Sequence, residues 1–366
     1  MEQILGGTPV AAPAGDRVAV LFGGLGSLAT TAIACCHLLL KGQPLELSSP
    51  LRQSLAATPA LSRVRSLVDA AKAFGFTSPS NLVFGGWNIT PENAFEMASV
   101  LEVIPANLLQ SIQAEMKQVR PMPAVFFPEQ TPGLWNSHVK EAKHKAELAE
   151  SVARDIEDFK RQHRCRRAVV VWTGTREVLP PAGLSHASAA AFRTALRGAD
   201  ASISASQIYA AAAFQTDAAF VAGGASRTVS FPAFRDLALA RATPYAGEDF
   251  AVPFMESFLA GAQPPIPPER NPQLTVTGPA GGAFQGELVE SSTFPAGPRP
   301  RRESRLTAPS VLETALWLDL VNRRGDGGPQ QWLNVYFSRP VAPLEPGRDY
   351  PAFHSQILKF AAGPVA

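Results

Sequence analysis

An apolar run that passes directly into a cluster of glycines constrains this chain more than any other feature. Residues 18–22 read VAVLF, Gly23, Gly24 and Gly26 follow, and a segment of helical character comes next. A buried strand that turns sharply into a helix leaves backbone N–H groups free at the helix N-terminus, where the helix dipole attracts a phosphate. Gly24, Gly26 and Ala29 fit G-x-G-x-x-G/A, the dinucleotide-binding pattern, although a tight turn without a ligand produces the same spacing.

The composition argues against several classes of protein. A chain of 366 residues that is 46% hydrophobic and 17% charged can bury a large core, in two domains or in one large α/β domain with an insertion. The net charge of +2 indicates no nucleic-acid surface, and three cysteines make neither a disulfide framework nor a metal-ligand spacing. The N-terminus lacks the pattern of a secretory leader, and there is no apolar run of about 18 residues. We therefore expect a cytoplasmic protein that binds neither membrane nor nucleic acid.

Strand and helix patterns alternate up to residue 245, which predicts an α/β fold with a Rossmann-like, doubly wound parallel sheet. The predicted strands are 18–22, 81–84, 168–172 and 218–222, and the predicted helices are 94–101, 108–119, 137–164, 185–196, 206–214 and 232–241.

The pattern changes after residue 250. Residues 264–302 are rich in Pro, Gly and Arg, and only 273–277 and 286–291 have strand character. An amphipathic helix is predicted at 309–323, an apolar strand or helical turn at 332–337, and a Pro/Gly-rich tail after it. We expect an N-terminal tail at 1–16, a dinucleotide-binding domain at 17–250, a shortened α+β region at 251–308, and a C-terminal helix and tail at 309–366 that return to the first domain.

Several segments, in order and at matching spacing, resemble the myo-inositol-1-phosphate synthase family. FGGLGSLATTAIA resembles the family's glycine loop, NLVFGGWNITPENAFEMA its FGGWDI segment, RRAVVVWTGTREV its strand ending in W-T-x-x-T-E, and YAGEDF its G-D-D-F. The likeness covers most of 17–250 and 308–345. It implies an isomerase that uses NAD to cyclise glucose 6-phosphate: a hydride leaves C5, an enolate closes the ring, and the hydride returns. Lysines after G-D-D-F would hold the phosphate and stabilise oxyanions.

The same resemblance implies a set of cofactor-binding residues. They are Gly23, Gly24, Gly26, Ser27, Asn88, Thr173, Thr175, Gly247 and Asp249. Asn88 stands where the family has an acid that meets the adenosine ribose. Because Asn carries no negative charge, it repels the 2′-phosphate of NADP less than an acid would, so NADP becomes harder to exclude.

The family's lysines are missing. Ala251 and Glu256 stand where the resemblance predicts them, and no lysine occurs between Lys160 and Lys359. Alanine can neither transfer a proton nor hold an oxyanion. Glutamate carries the wrong charge for a phosphate, and at ~4 Å a like-charge pair near the surface costs about 4 kcal/mol. Because both lysine positions are degenerate, no residue is assigned as catalytic. Asp249 is the remaining candidate.

Other polar residues are candidates to replace the missing lysines. Three roles are open for Glu248 and Asp249: an acid/base pair, a cation site, or capping and loop acids without a chemical role. Arg227, in the loop GGASRTVS, either binds a phosphate or faces solvent. His186 falls near the carboxyl edge of the predicted sheet, where ligands collect in such folds.

Three functions remain open on the sequence. The missing lysines favour a divergent NAD(P)-binding member that does not make inositol phosphate by the family's mechanism and acts as a scaffold, regulator or subunit partner. The alternative is an NAD-dependent isomerase or cyclase of a sugar phosphate or polyol with altered catalytic residues. The third is an oxidoreductase that keeps only the hydride step. A homodimer or a hetero-partner is compatible with each.

Overall fold

A computed structural model describes residues 16–174, 177–180, 183–198, 200–251, 276–277, 283–284, 299–342, 345 and 347–362. The strands are β1 (Arg17–Gly23), β2 (Leu82–Asn88), β3 (Met122–Pro123), β4 (Cys165–Trp172), β5 (Ala219–Ala222), β6 (Pro244–Gly247), β7 (Val276–Thr277), β8 (Ala283–Phe284) and β9 (Gly328–Pro329). The α-helices are α1 (Ser27–Leu40), α2 (Ser49–Ala56), α3 (Leu67–Phe74), α4 (Ala94–Leu101), α5 (Ala106–Ser111), α6 (Gln113–Gln118), α7 (Lys145–Gln162), α8 (Ala189–Arg197), α9 (Ala205–Gln215), α10 (Pro232–Leu239), α11 (Arg299–Arg324) and α12 (Asp349–Ala361).

Seven strands form one parallel sheet in the order β3-β2-β1-β4-β5-β6-β9. The chain builds outward from β1 to β3, then returns to place β4 on the other side of β1. This reversal creates a crevice at the carboxyl ends of β1 and β4, which is where ligands bind in open α/β sheets. The predicted fold class is therefore confirmed.

Two apolar layers cover the sheet, and alternating residues of β1 point into each of them. Val18, Val20 and Phe22 pack in the layer that contains α1, α11 and α12. Ala19 and Leu21 pack in the layer that contains α7, α8, α9 and α10. Because both faces are covered, the central strands are continuous apolar runs.

The helix predicted at 309–323 forms within α11, but its predicted amphipathic character is wrong, because the helix lies inside the core. Every residue from 307 to 321 is buried. One side packs on α1 and on β4, β5 and β6. On the other side, Trp317 contacts Phe74 of α3 and Phe360 of α12. The polar residues Glu313 and Asp319 of this helix are buried and hydrogen-bonded.

Other differences from the sequence prediction are local. The long helix begins at Lys145 rather than at 137, because Val139 pairs with Ala124 in an isolated parallel bridge. The helix predicted at 108–119 breaks at Ile112 into α5 and α6. Strands β3 and β6 were not predicted. Within the predicted tail, α12 forms, with a face that buries residues 353, 357 and 360. The strand predicted at 286–291 lies outside the described residues.

The described residues contain no helix long and apolar enough to cross a membrane. They also contain no group of three or more His, Cys, Asp or Glu side chains placed to hold a metal ion.

Candidate functional site

The glycine turn lies at the crevice and leaves the N-terminus of α1 uncapped. β1 ends at Gly23, and Gly24 adopts a φ of +107°, a conformation that side chains rarely allow. The Gly24 N–H donates to the carbonyl of Trp87 at 3.0 Å. Gly26, the N-cap residue of α1, has no side chain that could accept from the first turn, and Ser27 begins the helix half-exposed. The free N–H groups and the positive end of the helix dipole therefore face the crevice.

The turn after β4 packs directly against this glycine turn. Thr173 donates its hydroxyl to the Gly24 carbonyl at 2.7 Å and its N–H to the Gly23 carbonyl at 3.1 Å. A Cβ placed on Gly24 would lie 3.1 Å from Cα of Gly174. Thr173 thus holds the two turns together by hydrogen bonds. The close approach of the two turns by itself requires a glycine at position 24, whether or not a ligand binds.

Asn88 ends β2 beside the same crevice. Its Nδ2 donates to the hydroxyl of Thr90 at 3.0 Å, and the residue is 7% exposed. This bond uses one of the two amide hydrogens, so Asn88 can still offer a ligand its carbonyl oxygen as an acceptor and its second N–H as a donor.

A cleft of about 50 Å³ opens beneath the crevice on the side of the α7–α9 layer. Its volume suits one or two water molecules or a chemical group of similar size, far less than a whole dinucleotide. Aromatic and aliphatic side chains form most of its wall. The lining residues are Gly23, Gly24, Trp87, Asn88, Ile89, Ala124, Val125, Phe126, Phe127, Gln130, Thr131, Leu134, Trp172, Gly174, Glu177, Ala205 and Tyr209.

The predicted residues Gly247 and Asp249 lie at the end of β6, two strands away from β4, and do not line this cleft. Asp249 has a φ of +64° and a carboxylate 3.5 Å from Nε of Arg339. The Arg339 guanidinium also donates to the carbonyl of Ala225 in the loop that follows β5. Arg339 is thus a cation at the carboxyl edge of the sheet that the sequence analysis missed, because it approaches from a distant segment.

Glu248 is a structural residue. Its carboxylate, 2% exposed, accepts the backbone N–H groups of Thr228, Val229 and Ser230 at 2.6, 2.8 and 3.1 Å. These loop amides are therefore occupied by an internal anion and are not free to bind a phosphate. Arg227 of this loop is exposed, with its guanidinium 5.2 Å from the ring centre of Phe231.

Ala251 is half-buried, and its N–H donates to the carbonyl of Tyr336 at 2.9 Å. The neighbouring ring of Phe250 stacks on Phe337, with ring centres 5.1 Å apart. This brings the segment with Arg339 beside the position where the resemblance predicts a lysine. Glu256 and Thr175 lie outside the described residues.

A buried polar network borders the cleft, and the sequence did not predict it. Glu177 accepts the N–H of Ser206 at 2.9 Å and the Ser206 hydroxyl at 2.5 Å. Burial raises the pKa of Glu177, and the hydrogen bond from the Ser206 hydroxyl opposes that rise. His186 is buried and lies 3.1 Å from Gln207, away from the cleft wall.

A family profile described as myo-inositol-1-phosphate synthase matches residues 18–357. The chain belongs to this family. The matched domain is an NAD-binding domain, so the resemblance seen in the sequence is confirmed.

Individual relatives agree with this assignment. The chain is 33% identical over 244 residues to inositol-3-phosphate synthase 1 of Bacteroides thetaiotaomicron, covering 65% of this chain and 55% of that protein. It is 27% identical over 177 residues to inositol-3-phosphate synthase of Sesamum indicum, covering 47% of this chain and 34% of that protein. The alignments therefore span about half, or less, of the relatives' own length.

Two solved structures share the fold. Inositol-3-phosphate synthase from Caenorhabditis elegans aligns with a TM-score of 0.69 at 17% identity, covering 97% of this chain and 87% of that one. A myo-inositol-1-phosphate synthase-related protein from Thermotoga maritima aligns with a TM-score of 0.59 at 14% identity, covering 96% and 100%.

Proposed function

We propose that this member of the family binds NAD(H) at the crevice between β1 and β4 and does not convert glucose 6-phosphate to inositol phosphate by the lysine-dependent route. The observation that carries the first half is the uncapped N-terminus of α1 at the point where the strand order reverses. The observation that carries the second half is the alanine at position 251, half-buried where a lysine is expected.

The residues present fit a dinucleotide. The first N–H groups of α1, from Ser27 onward, would hold the pyrophosphate, and the Asn88 carbonyl would accept a ribose hydroxyl. When bound, NAD supplies a hydride acceptor. Since Asn88 is uncharged, a 2′-phosphate meets no anionic repulsion from this residue, and we propose that NADP binds as well, although more weakly than to a site that supplies its phosphate with a cation.

The cations near the site do not replace both lysines. Lys145 lies close to the cleft wall, but its ammonium donates to the carbonyls of Asp200 and Ile203 at 2.8 and 2.7 Å. Those bonds hold the loop that precedes α9, so the ammonium of Lys145 has a structural role. We propose that the retained nucleotide site serves a binding or regulatory role, with a second copy or another protein as the partner that senses it.

Arg339 supports a second candidate function, an isomerase or cyclase of a sugar phosphate or polyol with altered residues. Its guanidinium is half-exposed at the carboxyl edge, between Asp249 and the loop after β5. A guanidinium can hold a phosphate and stabilise an oxyanion, but it stays protonated and cannot act as a base. Asp249, 32% exposed, would then have to remove the proton.

Calorimetry and a cyclisation assay separate these functions. Titration with NAD and NADP tests binding, and a flat response to both would refute the proposal. Incubation with glucose 6-phosphate and NAD, analysed for inositol phosphate, should give no product; sustained turnover that disappears in Arg339→Met would favour the second candidate. Arg348→Met, an exposed arginine paired with Glu345, is the control. Light scattering with and without NAD tests for a nucleotide-dependent partner or oligomer.

A further inference from the structure

A groove of about 930 Å³ runs beside α7 at the amino edge of the sheet, opposite the edge that carries the glycine turn. Besides α7, its lining includes the start of β4, the turn at residues 215–217 before β5, and Arg241 before β6. Ten of its fourteen lining residues are charged, six positive and four negative. Pockets for small molecules are mostly apolar, so this groove suits a partner that itself carries charges of both signs.

Charged residues form a continuous exposed stripe along α7 and just beyond its end. The stripe consists of Glu147, Glu150, Arg154, Glu157, Arg161 and Arg164, all of which are exposed. Their spacings alternate between three and four residues, as do the positions that face a neighbouring helix in a coiled coil. The residues that α7 buries, among them Leu148, Val152 and Ile156, lie on another face and pack in the layer over the sheet. The stripe therefore faces away from the core.

The central charges of this stripe are available to a partner. Glu150 and Arg154 form no ion pair and no side-chain hydrogen bond within the part of the chain that the structure describes. Glu157 and Arg161 pair with residues three positions away on the same helix. Exposed pairs of this kind contribute little to stability, so a partner helix can compete for these charges.

The charges have opposite signs on either side of the middle of the helix. Arg154 and Glu157 lie equally far from the point between residues 155 and 156, and so do Glu150 and Arg161. A second copy of the helix, laid antiparallel with that point on a twofold axis, places its Glu157 opposite Arg154 and its Arg161 opposite Glu150. Because the symmetry repeats each pair, four contacts between opposite charges form together. The residues at the ends of the stripe, at 147 and 164, continue the same pattern.

We propose that this protein forms a twofold dimer in which the α7 stripes of two copies lie antiparallel. A uniformly acidic or uniformly basic partner would meet like charges along part of the stripe, whereas a second copy meets opposite charges at each of these positions. Exposed ion pairs with little apolar surface give weak, reversible association that salt opposes, since screening lengths fall from about 10 Å at 0.1 M to about 3 Å at 1 M. The proposal does not depend on nucleotide binding, because the stripe lies away from the crevice.

Sedimentation velocity of the full chain at several concentrations measures the dissociation constant of the dimer. Raising NaCl from about 50 to about 500 mM should weaken the dimer roughly tenfold or more. Arg154→Glu and Glu157→Arg each place like charges at both central contacts and should weaken it by a similar factor. Arg63→Glu makes the same change of charge at an exposed position before α3, on the other face of the sheet, and should leave the dissociation constant unchanged.

An equimolar mixture of the two reversal variants separates pairing from damage to the helix. One chain then carries glutamate at both central positions and the other carries arginine at both, so each central contact again joins opposite charges. The mixture should dimerise with nearly wild-type affinity although neither variant does so alone, with circular dichroism to show that both are folded. If either variant does not fold, Arg154→Gln and Glu157→Gln replace the pair, and each should weaken the dimer severalfold.

Several results would overturn the inference. They are a wild-type chain that stays monomeric at low salt, an assembly that neither salt nor substitution at 154 and 157 weakens, and a mixture of folded reversal variants that does not associate.

Discussion

Glu313 should make this protein less stable as the pH rises through neutrality. The side chain lies in α11 with no exposed surface. It accepts the Ser48 N–H at 2.7 Å and the Tyr336 hydroxyl at 2.8 Å, and it is also hydrogen-bonded to the Ser48 hydroxyl. Burial raises the pKa of this carboxyl from 4.5 to about 7, against the opposing effects of the Ser48 and Tyr336 bonds and the charge of Arg52.

The sign and size of the effect follow from linkage. Between pH 4.5 and 7 the folded chain keeps a proton on Glu313 that the unfolded chain has released. The stabilisation is therefore complete below the unfolded pKa and is lost as the pH rises through the folded one. The difference between the two pKa values corresponds to about 3 kcal/mol of unfolding free energy, a large fraction of a typical total of roughly 5–15 kcal/mol.

Urea unfolding at several pH values between 5 and 8 tests this. Glu313→Gln keeps the size of the side chain but cannot ionise, so the stability of the variant relative to wild type should improve by about 3 kcal/mol from pH 5 to pH 8. All other titrating groups are common to both proteins and cancel in the difference. Glu150→Gln, at an exposed position of α7, should show no such trend. A wild-type minus Glu313→Gln difference that stays constant over this range would refute the reasoning.

Three further predictions concern packing, charge and the glycine turn. Trp317→Ala empties a fully buried site in α11 and should cost about 3–5 kcal/mol in urea unfolding, whereas Trp135→Ala, 60% exposed, should cost under about 0.5 kcal/mol; similar losses would contradict the assigned core. Asp319→Asn removes one of the two carboxylates paired with Arg167, whose Nε lies 2.6 Å from Asp319 and whose Nη1 stays 2.9 Å from Asp16, and should cost roughly 1–3 kcal/mol, a loss that high salt does not abolish. Gly24→Ala should destabilise the fold by about 1–3 kcal/mol because of the φ of +107°, and should weaken NAD binding measured by calorimetry; unchanged stability and affinity would rule out the strained turn.

The sequence predicted two kinds of segment well: long segments with a clear apolar pattern, and turns marked by glycines. The strand β1 and its glycine turn follow from an apolar run and three glycines, and α4 has both of the predicted ends. Strand β3 was missed because two residues carry no measurable periodicity, and β6 because its sequence, PYAG, begins with proline and ends with glycine, both of which argue against a strand. Helix α11 was predicted, but its complete burial was not, because the hydrogen-bond partners of Glu313 and Asp319 lie in segments remote in the sequence.

The residues of the candidate site were likewise predicted only where a local motif marks them. Local motifs located the glycine turn, Asn88 and Thr173, each at the carboxyl end of a strand. Arg339, Gln130 and Glu177 were not recognised as site residues, because what makes them notable is their contact with segments that are remote in the sequence. Arg339 reaches Ala225 across 114 positions, and Gln130 reaches Ile203 across 73.

The sequence by itself determined the family and the parallel α/β architecture, since apolar periodicity, glycine spacing and residue identity are properties of neighbouring residues. Only the tertiary structure decided which polar groups remain available to a ligand. Availability depends on whether a donor or acceptor already has a partner, and the partners of Glu248, Asn88 and Gln130 became visible only once the folded chain had brought its distant segments together.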